Sequence, residues 1–317
     1  MRLRSFVIAV VALFVIANVI VAAVRRCGVI PDAMGGSPES VGRWTDGAAS
    51  AVADRAAGLS PATQPPAAPA GIEGLSLQLS RPLMFDIGDL GGLASDGQYL
   101  YVAAWDEGAE AAVLYQVHPD RYTIVQVRAL QEDGIIAVGG IDAVPGRIWV
   151  PLARGGGAAA TVVLGISADT LEVQERFEVA AGFVAVAASD DGHIYAVTHD
   201  GGLWVEWQSD GTVVRQVAAA GGPQYADLAT ARGSLVAAGT DGVSGIVDVI
   251  DPRGFTLLAR HVASATAGHW PTSGGLEVRD DAVLLLPGGG ASPSLLTYIP
   301  DRGDLERFVP SVADRGR

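Results

Sequence analysis

Three observations predict an all-β ring of radially stacked sheets behind a membrane span. A four-strand grammar recurs along most of the chain, with equivalent positions Leu100, Ile148, Ile194, Leu235 and Val283 spaced by 48, 46, 41 and 48 residues. Each copy places an Asp just after its third strand: Asp120, Asp169, Asp210, Asp251 and Asp301. Near the N-terminus, Phe6 to Val24 is apolar throughout except for Asn18. A repeat of about 40–50 residues with four strands per unit is the pattern of a β-propeller, whose sheets bury their faces only by stacking on one another. The predicted fold is a five-bladed β-propeller, with six blades the alternative, preceded by an N-terminal transmembrane helix and a Pro/Ala-rich linker.

In chain order, residues 1–5 form a cytoplasmic tip and residues 6–24 a transmembrane signal anchor. As a helix, a run of that length rises roughly 28 Å, which matches a bilayer core. A cleaved signal peptide has a shorter apolar region of about 7–15 residues, and Arg25 and Arg26 follow the run directly. Arg2, Arg4 and the amino terminus favour the N-terminus inside, which puts the following domain outside the cytoplasm. Residues 25–73 are rich in Ala, Pro, Gly and Ser and end in SPATQPPAAPAGIEG, the composition of an extended spacer. At Leu75 the texture changes: Leu75, Leu77 and Leu79 alternate with Ser76, Gln78 and Ser80, the period of a half-buried strand. The propeller is assigned to 74–312 and a tail to 313–317.

The second strands of the repeats are YLYVAAW (99–105), RIWVPLA (147–153), HIYAVTH (193–199), SLVAAGT (234–240) and AVLLLPG (282–288). Third strands end in HPD, SAD, QSD, IDP and IPD, where the Asp closes a turn to the fourth. The last fourth strand is assigned to LERFVPSV (305–312). The extra strand at 74–82 is expected to pair near the last repeat and help close the ring.

Charge and cysteine narrow the partners. Residues 1–75 hold six Arg and five acidic residues, leaving 15 Arg and 30 acidic residues, or −15, for the remainder. A domain that acidic repels nucleic-acid phosphates and anionic lipid heads, so no nucleic-acid partner is expected. Lys is absent and Cys27 stands alone, so the fold holds without an intrachain disulfide.

DGQYLYVAAWDEGAEAAVLYQVHPDRYTIVQV (96–127) resembles the YVTN-type repeat, in which a tyrosine-valine strand leads to a strand ending in Asp-Pro. GIVDVIDPRGFTLLARHV (245–262) is similar, with Asp251-Pro252 its nearest match. The last repeat departs from the pattern, reading AVLLLPGGG. The resemblance implies an extracytoplasmic propeller, often a binding or surface scaffold, and it supplies no catalytic residues.

In a propeller, the loops joining second to third strands and those joining successive blades share one face. Those loops here carry Trp105, Asp106, Arg154, His199, Tyr225, Asp227, His269 and Trp270, the candidate ligand contacts. Aromatic faces beside polar groups suit sugars, peptides and partner side chains. Trp105 and Trp270 have a second reading, as plugs between blades. Asp142, Asp227 and Glu277 fall on predicted innermost strands, where they would face the channel. Were the domain an enzyme, these three are its candidate catalytic carboxylates, for a hydrolase, a lactonase or a glutaminyl-cyclase-like reaction. His193 and His199 lie about 20 Å apart along one strand and cannot share a metal. Neither a metal nor a cofactor is expected. The leading functional reading is a membrane-tethered binding or scaffold module for a protein, peptide or envelope glycan. A third reading is a subunit of a membrane complex, in which Asn18 bonds a neighbouring helix.

Overall fold

A computed structural model describes residues 72–155, 159–219, 222–263, 270–279, 282–288, 293–300 and 309. The predicted anchor at 6–24, the linker up to residue 71 and the tail at 313–317 lie outside them.

The described residues are all-β and propeller-like. The first module is an antiparallel sheet in the order β2 (Asp89–Ser95), β3 (Leu100–Asp106), β4 (Ala111–Val117) and β5 (Ile124–Leu130). In the second, the inner strand is split into β6 (Ile135–Val138) and β7 (Asp142–Val144). Both pair β8 (Arg147–Arg154), which is followed by β9 (Ala160–Ser167) and β10 (Val173–Val179). The third module runs β11 (Phe183–Ala188), β12 (His193–Thr198), β13 (Leu203–Gln208) and β14 (Val213–Ala218). These boundaries follow the sequence repeat to within a residue or so, because each second and third strand is a short apolar run bounded by turn residues. The run in β9 is buried at nearly every position, whereas β10 alternates Val173-Gln174-Glu175-Arg176 toward solvent. Central strands are covered by a neighbouring sheet on both faces; the outermost strands meet water.

The remaining strands form one eight-stranded sheet. It contains β15 (Gln224–Ala231), β16 (Ser234–Thr240), β17 (Gly245–Asp251) and β18 (Thr256–Ala263), then β1 (Ile72–Pro82), β21 (Ser294–Pro300), β20 (Val283–Leu286) and β19 (Gly275–Val278). β1 joins its two halves, the fourth module (β15 to β18) and the last (β19 to β21). Ile72 to Leu75 pair in parallel with Arg260 to Ala263 of β18, and Leu75 to Pro82 then pair antiparallel with Pro300 to Ser294 of β21. The expected closing strand thus pairs beside the last repeat. The edge of β21 predicted for residues 305–312 is filled by β1, since one strand edge accepts one ladder. From that predicted strand only Val309 is described, and it is buried with Leu75, Val247 and Tyr298.

The core is divided among the seams between modules. Tyr101 and Leu114 pack with Ile148 and Leu164; Trp149 and Val163 pack with Ile194 and Trp207. Val197 and Trp204 meet Leu235 and Ile250, and Val236 and Val247 meet Val283 and Tyr298. Finally Leu284 and Leu295 meet Leu100 and Val102, so the last module packs on the first. Each buried side chain of this size contributes roughly 1.5–3 kcal/mol, which a solitary sheet could not collect on both faces.

Candidate functional site

The innermost strand of each module is a sheet edge, and its inward-facing backbone N–H groups have no ladder partner. Buried donors must be satisfied somehow. Three carboxylates do this. Asp227 on β15 is fully buried; its Oδ2 accepts from the amides of Leu93 on β2 at 3.0 Å and Leu276 on β19 at 2.7 Å. Its Oδ1 accepts from Leu228 N at 2.8 Å. Asp142 on β7 accepts from Ala188 N on β11 at 2.9 Å and Thr230 N on β15 at 3.2 Å, as well as from Ala143 N at 2.9 Å. Glu277 on β19 is also buried and is reached by the Ser95 backbone amide of β2. These acids therefore tie inner strands of different modules together.

Close packing accompanies the ties. A Cβ added at Gly140 would lie 2.2 Å from Asp227 Oδ1, and one at Gly92 would lie 2.4 Å from Ile141 N. Only a residue without a side chain lets these backbones meet. Gly140 also bridges Ala185 of β11 in parallel, with Gly140 N donating to Val184 O at 2.8 Å. Burial sets the ionisation of the acids. Desolvation pushes the Asp142 carboxyl up to about 7, against the pull of its backbone donors. It raises Asp227 and Glu277 well above the carboxylate range, and Asp142's proximity adds to both shifts.

The predicted loop residues are not brought together into one cleft. Tyr225 is buried, and its hydroxyl donates to Asp248 Oδ2 at 2.8 Å; Asp248 is in turn gripped by Arg260 Nε and Nη2, both at 2.7 Å. Burial and the adjacent Asp248 raise that phenol. His199 places Nδ1 3.3 Å from Tyr225 O, so that nitrogen carries the proton; burial lowers the ring's basicity. Trp105 is partly buried against the seam between the first two modules, as its plug reading requires. Asp106 Oδ1 caps its own loop, accepting from Gly108 N at 2.9 Å and Ala109 N at 3.1 Å. Arg154 pairs with Glu178 at 3.1 Å and Glu132 at 4.0 Å. Trp270 is half-buried, and its carbonyl accepts from Ser273 N at 3.2 Å. His269 lies outside the described residues.

On the opposite face, a groove of about 420 Å³ opens between the third and fourth modules, lined by Tyr195, Glu206, Val214, Arg215, Pro252 and Arg253. None of these was a sequence-predicted contact. One signal was available: Glu206 and Arg215 are opposite-charged residues on successive strands, and they face each other in register.

No family model matches the chain, and no curated protein matches it. Solved structures do. The glutaminyl cyclase of Myxococcus xanthus superposes with a TM-score of 0.56 at 12% identity, covering 72% of this chain and 97% of that one. The WD40 domain of Neurospora crassa Pan2 gives 0.42 at 12% identity, over 63% of this chain and 56% of the other. The PQQ-bound aldose sugar dehydrogenase of Streptomyces coelicolor gives 0.41 at 12% identity, over 74% and 100%. The glutaminyl cyclase match carries the fold: this chain is a β-propeller-like protein.

Proposed function

We propose that the domain is a five-bladed propeller acting as a binding or scaffold module. It is held outside the cytoplasm by the residue 6–24 anchor and engages a protein, peptide or envelope glycan through its loop face. The blade count is supported by the cyclic order of the seam clusters, which returns from the last module to the first. The YVTN-type reading is supported by Tyr101-Val102 in β3 and Asp251-Pro252 after β17. One observation carries the non-catalytic reading: the inner acids are buried and bonded to backbone amides of neighbouring modules. A general acid or nucleophile must reach its substrate, within hydrogen-bond distance or through one water. Asp142 and Asp227 instead serve the scaffold. The enzyme alternative, a hydrolase, lactonase or glutaminyl-cyclase-like activity, shares the fold of its structural neighbour, and a likeness at 12% identity supports no more than that.

The test is affinity capture of the full-length protein from gently solubilised membranes. A partner should co-purify, and its capture should be lost on Trp270→Ala. Asp142→Asn and Glu277→Gln should retain it at temperatures where they stay folded. Turnover of glutaminyl peptides, lactones or glycans by the wild type, abolished by those carboxylate variants, would overturn the reading.

A further inference from the structure

The groove between the third and fourth modules is built differently from the loop face. One wall comes from the third module: Tyr195 on β12, Glu206 on β13, and Val214 and Arg215 on β14. The other is the turn after β17, with Pro252 and Arg253. Arg215 spans the seam. Its Nη2 donates to the Pro252 carbonyl at 2.6 Å and to Glu206 Oε2, and its guanidinium lies 4.9 Å over the Phe255 ring. Behind Phe255 stacks Trp204, with centroids 5.5 Å apart, and Tyr195 meets the same ring edge-on.

With Asp251 counted beside Arg253, this hollow is charge-balanced while the chain is acidic. The chain carries −14 overall, whereas the lining holds two Arg and one Glu. Glu206 is already paired with Arg215 through one oxygen, and its other oxygen lies 2.8 Å from His193 Nδ1. The bonds of Arg215 to the described residues leave from Nη2, its Nε is buried, and the side chain is 32% exposed, which leaves Nη1 as the donor for a ligand. Arg253 stands at the rim, 61% exposed, with Nε and Nη2 forked onto the largely buried Asp251 carboxylate at 2.8–3.3 Å. That fork leaves Nη1 as the donor Arg253 turns outward.

We propose that this groove binds a small organic carboxylate with a flat apolar body. The carboxylate accepts from Nη1 of Arg215 and Nη1 of Arg253, each a charge-assisted contact. The body lies against Tyr195, Val214 and Pro252. The volume of about 420 Å³ falls in the range of small-molecule sites. This site is on the face opposite the proposed partner surface, so it stands or falls independently of it.

The test is titration of the full-length protein with 3-phenylpropionate, read by arginine Nε–H resonances in ¹⁵N-labelled protein and by tryptophan fluorescence. Saturable shifts of the Arg215 and Arg253 signals are expected, with Trp204 reporting through Phe255. 2-Phenylethylamine should not bind, and acetate should bind more weakly than the probe. Arg253→Ala, which removes an exposed side chain and should leave thermal unfolding unchanged, should weaken binding about tenfold, the equivalent of one charge-assisted contact. Absence of saturation up to the probe's solubility limit, equal binding of the amine, or full affinity in a folded Arg253→Ala protein would each overturn the proposal.

Discussion

Removing Asp227 should loosen the ring at its axis. In Asp227→Ala, the amides of Leu93, Leu276 and Leu228 lose an acceptor now at 3.0, 2.7 and 2.8 Å. A buried donor left unsatisfied costs about 1–3 kcal/mol. Three of them give a gross cost of about 3–9 kcal/mol, and relief from burying a carboxyl group returns part of it. A net loss of about 3–5 kcal/mol is expected, a large share of the roughly 5–15 kcal/mol that holds a typical domain. Asp227→Asn separates the contributions. Its carbonyl oxygen can still serve Leu93 and Leu276, but its amide then faces Leu228 N donor to donor, so only about 1–3 kcal/mol is lost. Urea unfolding followed by tryptophan fluorescence and far-ultraviolet circular dichroism measures both variants. The midpoint should fall in the order wild type, Asn, Ala, with the slope unchanged. If the Ala variant unfolds within about 0.5 kcal/mol of wild type, the range of an ordinary surface change, Asp227 is not a tie between strands and the reasoning fails.

Three further outcomes are expected. Because the folded Asp142 carboxyl is raised from 3.8 to about 7, the fold holds a proton that the unfolded chain releases. Stability from that group is therefore full below the unfolded value and lost as pH rises through about 4 to 7, by up to about 4 kcal/mol at 1.4 kcal/mol per unit. Asp227 and Glu277 are shifted in the same direction; thermal melts across that window should show the slope, and Asp142→Asn should make it shallower without abolishing it. Gly140→Ala puts a methyl 2.2 Å from Asp227 Oδ1 and should cost at least about 1–3 kcal/mol by overpacking, measured by the same urea series. In β1, Leu75 is 3% exposed and Leu77 41%. Leu75→Ala should cost about 2–5 kcal/mol and Leu77→Ala less than about 1 kcal/mol; equal losses would mean that β1 is not fixed by its first half.

The strand grammar was legible because it is local. Apolar runs such as RIWVPLA and SLVAAGT sit between turn residues, and β8 and β16 begin where those runs begin. Asp210 and Asp251 close turns as their position after the third strand implied, accepting from Thr212 N at 2.8 Å and Arg253 N at 2.9 Å. What the sequence could not convey was which backbone groups a side chain would meet from another module. Asp142 and Asp227 read as inward carboxylates, and inward they are; that their oxygens are taken by amides of β2, β11, β15 and β19 depends on how tightly the ring draws together. Tyr225 looked like a loop aromatic, but Asp248, on β17 of the same module, holds its hydroxyl below the surface. The Glu206–Arg215 groove was not legible because its walls are largely strand, where a charged pair reads as an ordinary cross-strand contact.

The β1 strand also has a consequence for biogenesis. A ribosome delivers the ladder partner of Leu75, Pro300, only after the 224 residues between them. Until then, Leu77 and Leu79 travel on an unmated strand edge while the intervening sheets assemble in turn. The β1–β21 pairing therefore joins segments across a long loop, whose closure carries a large entropic cost.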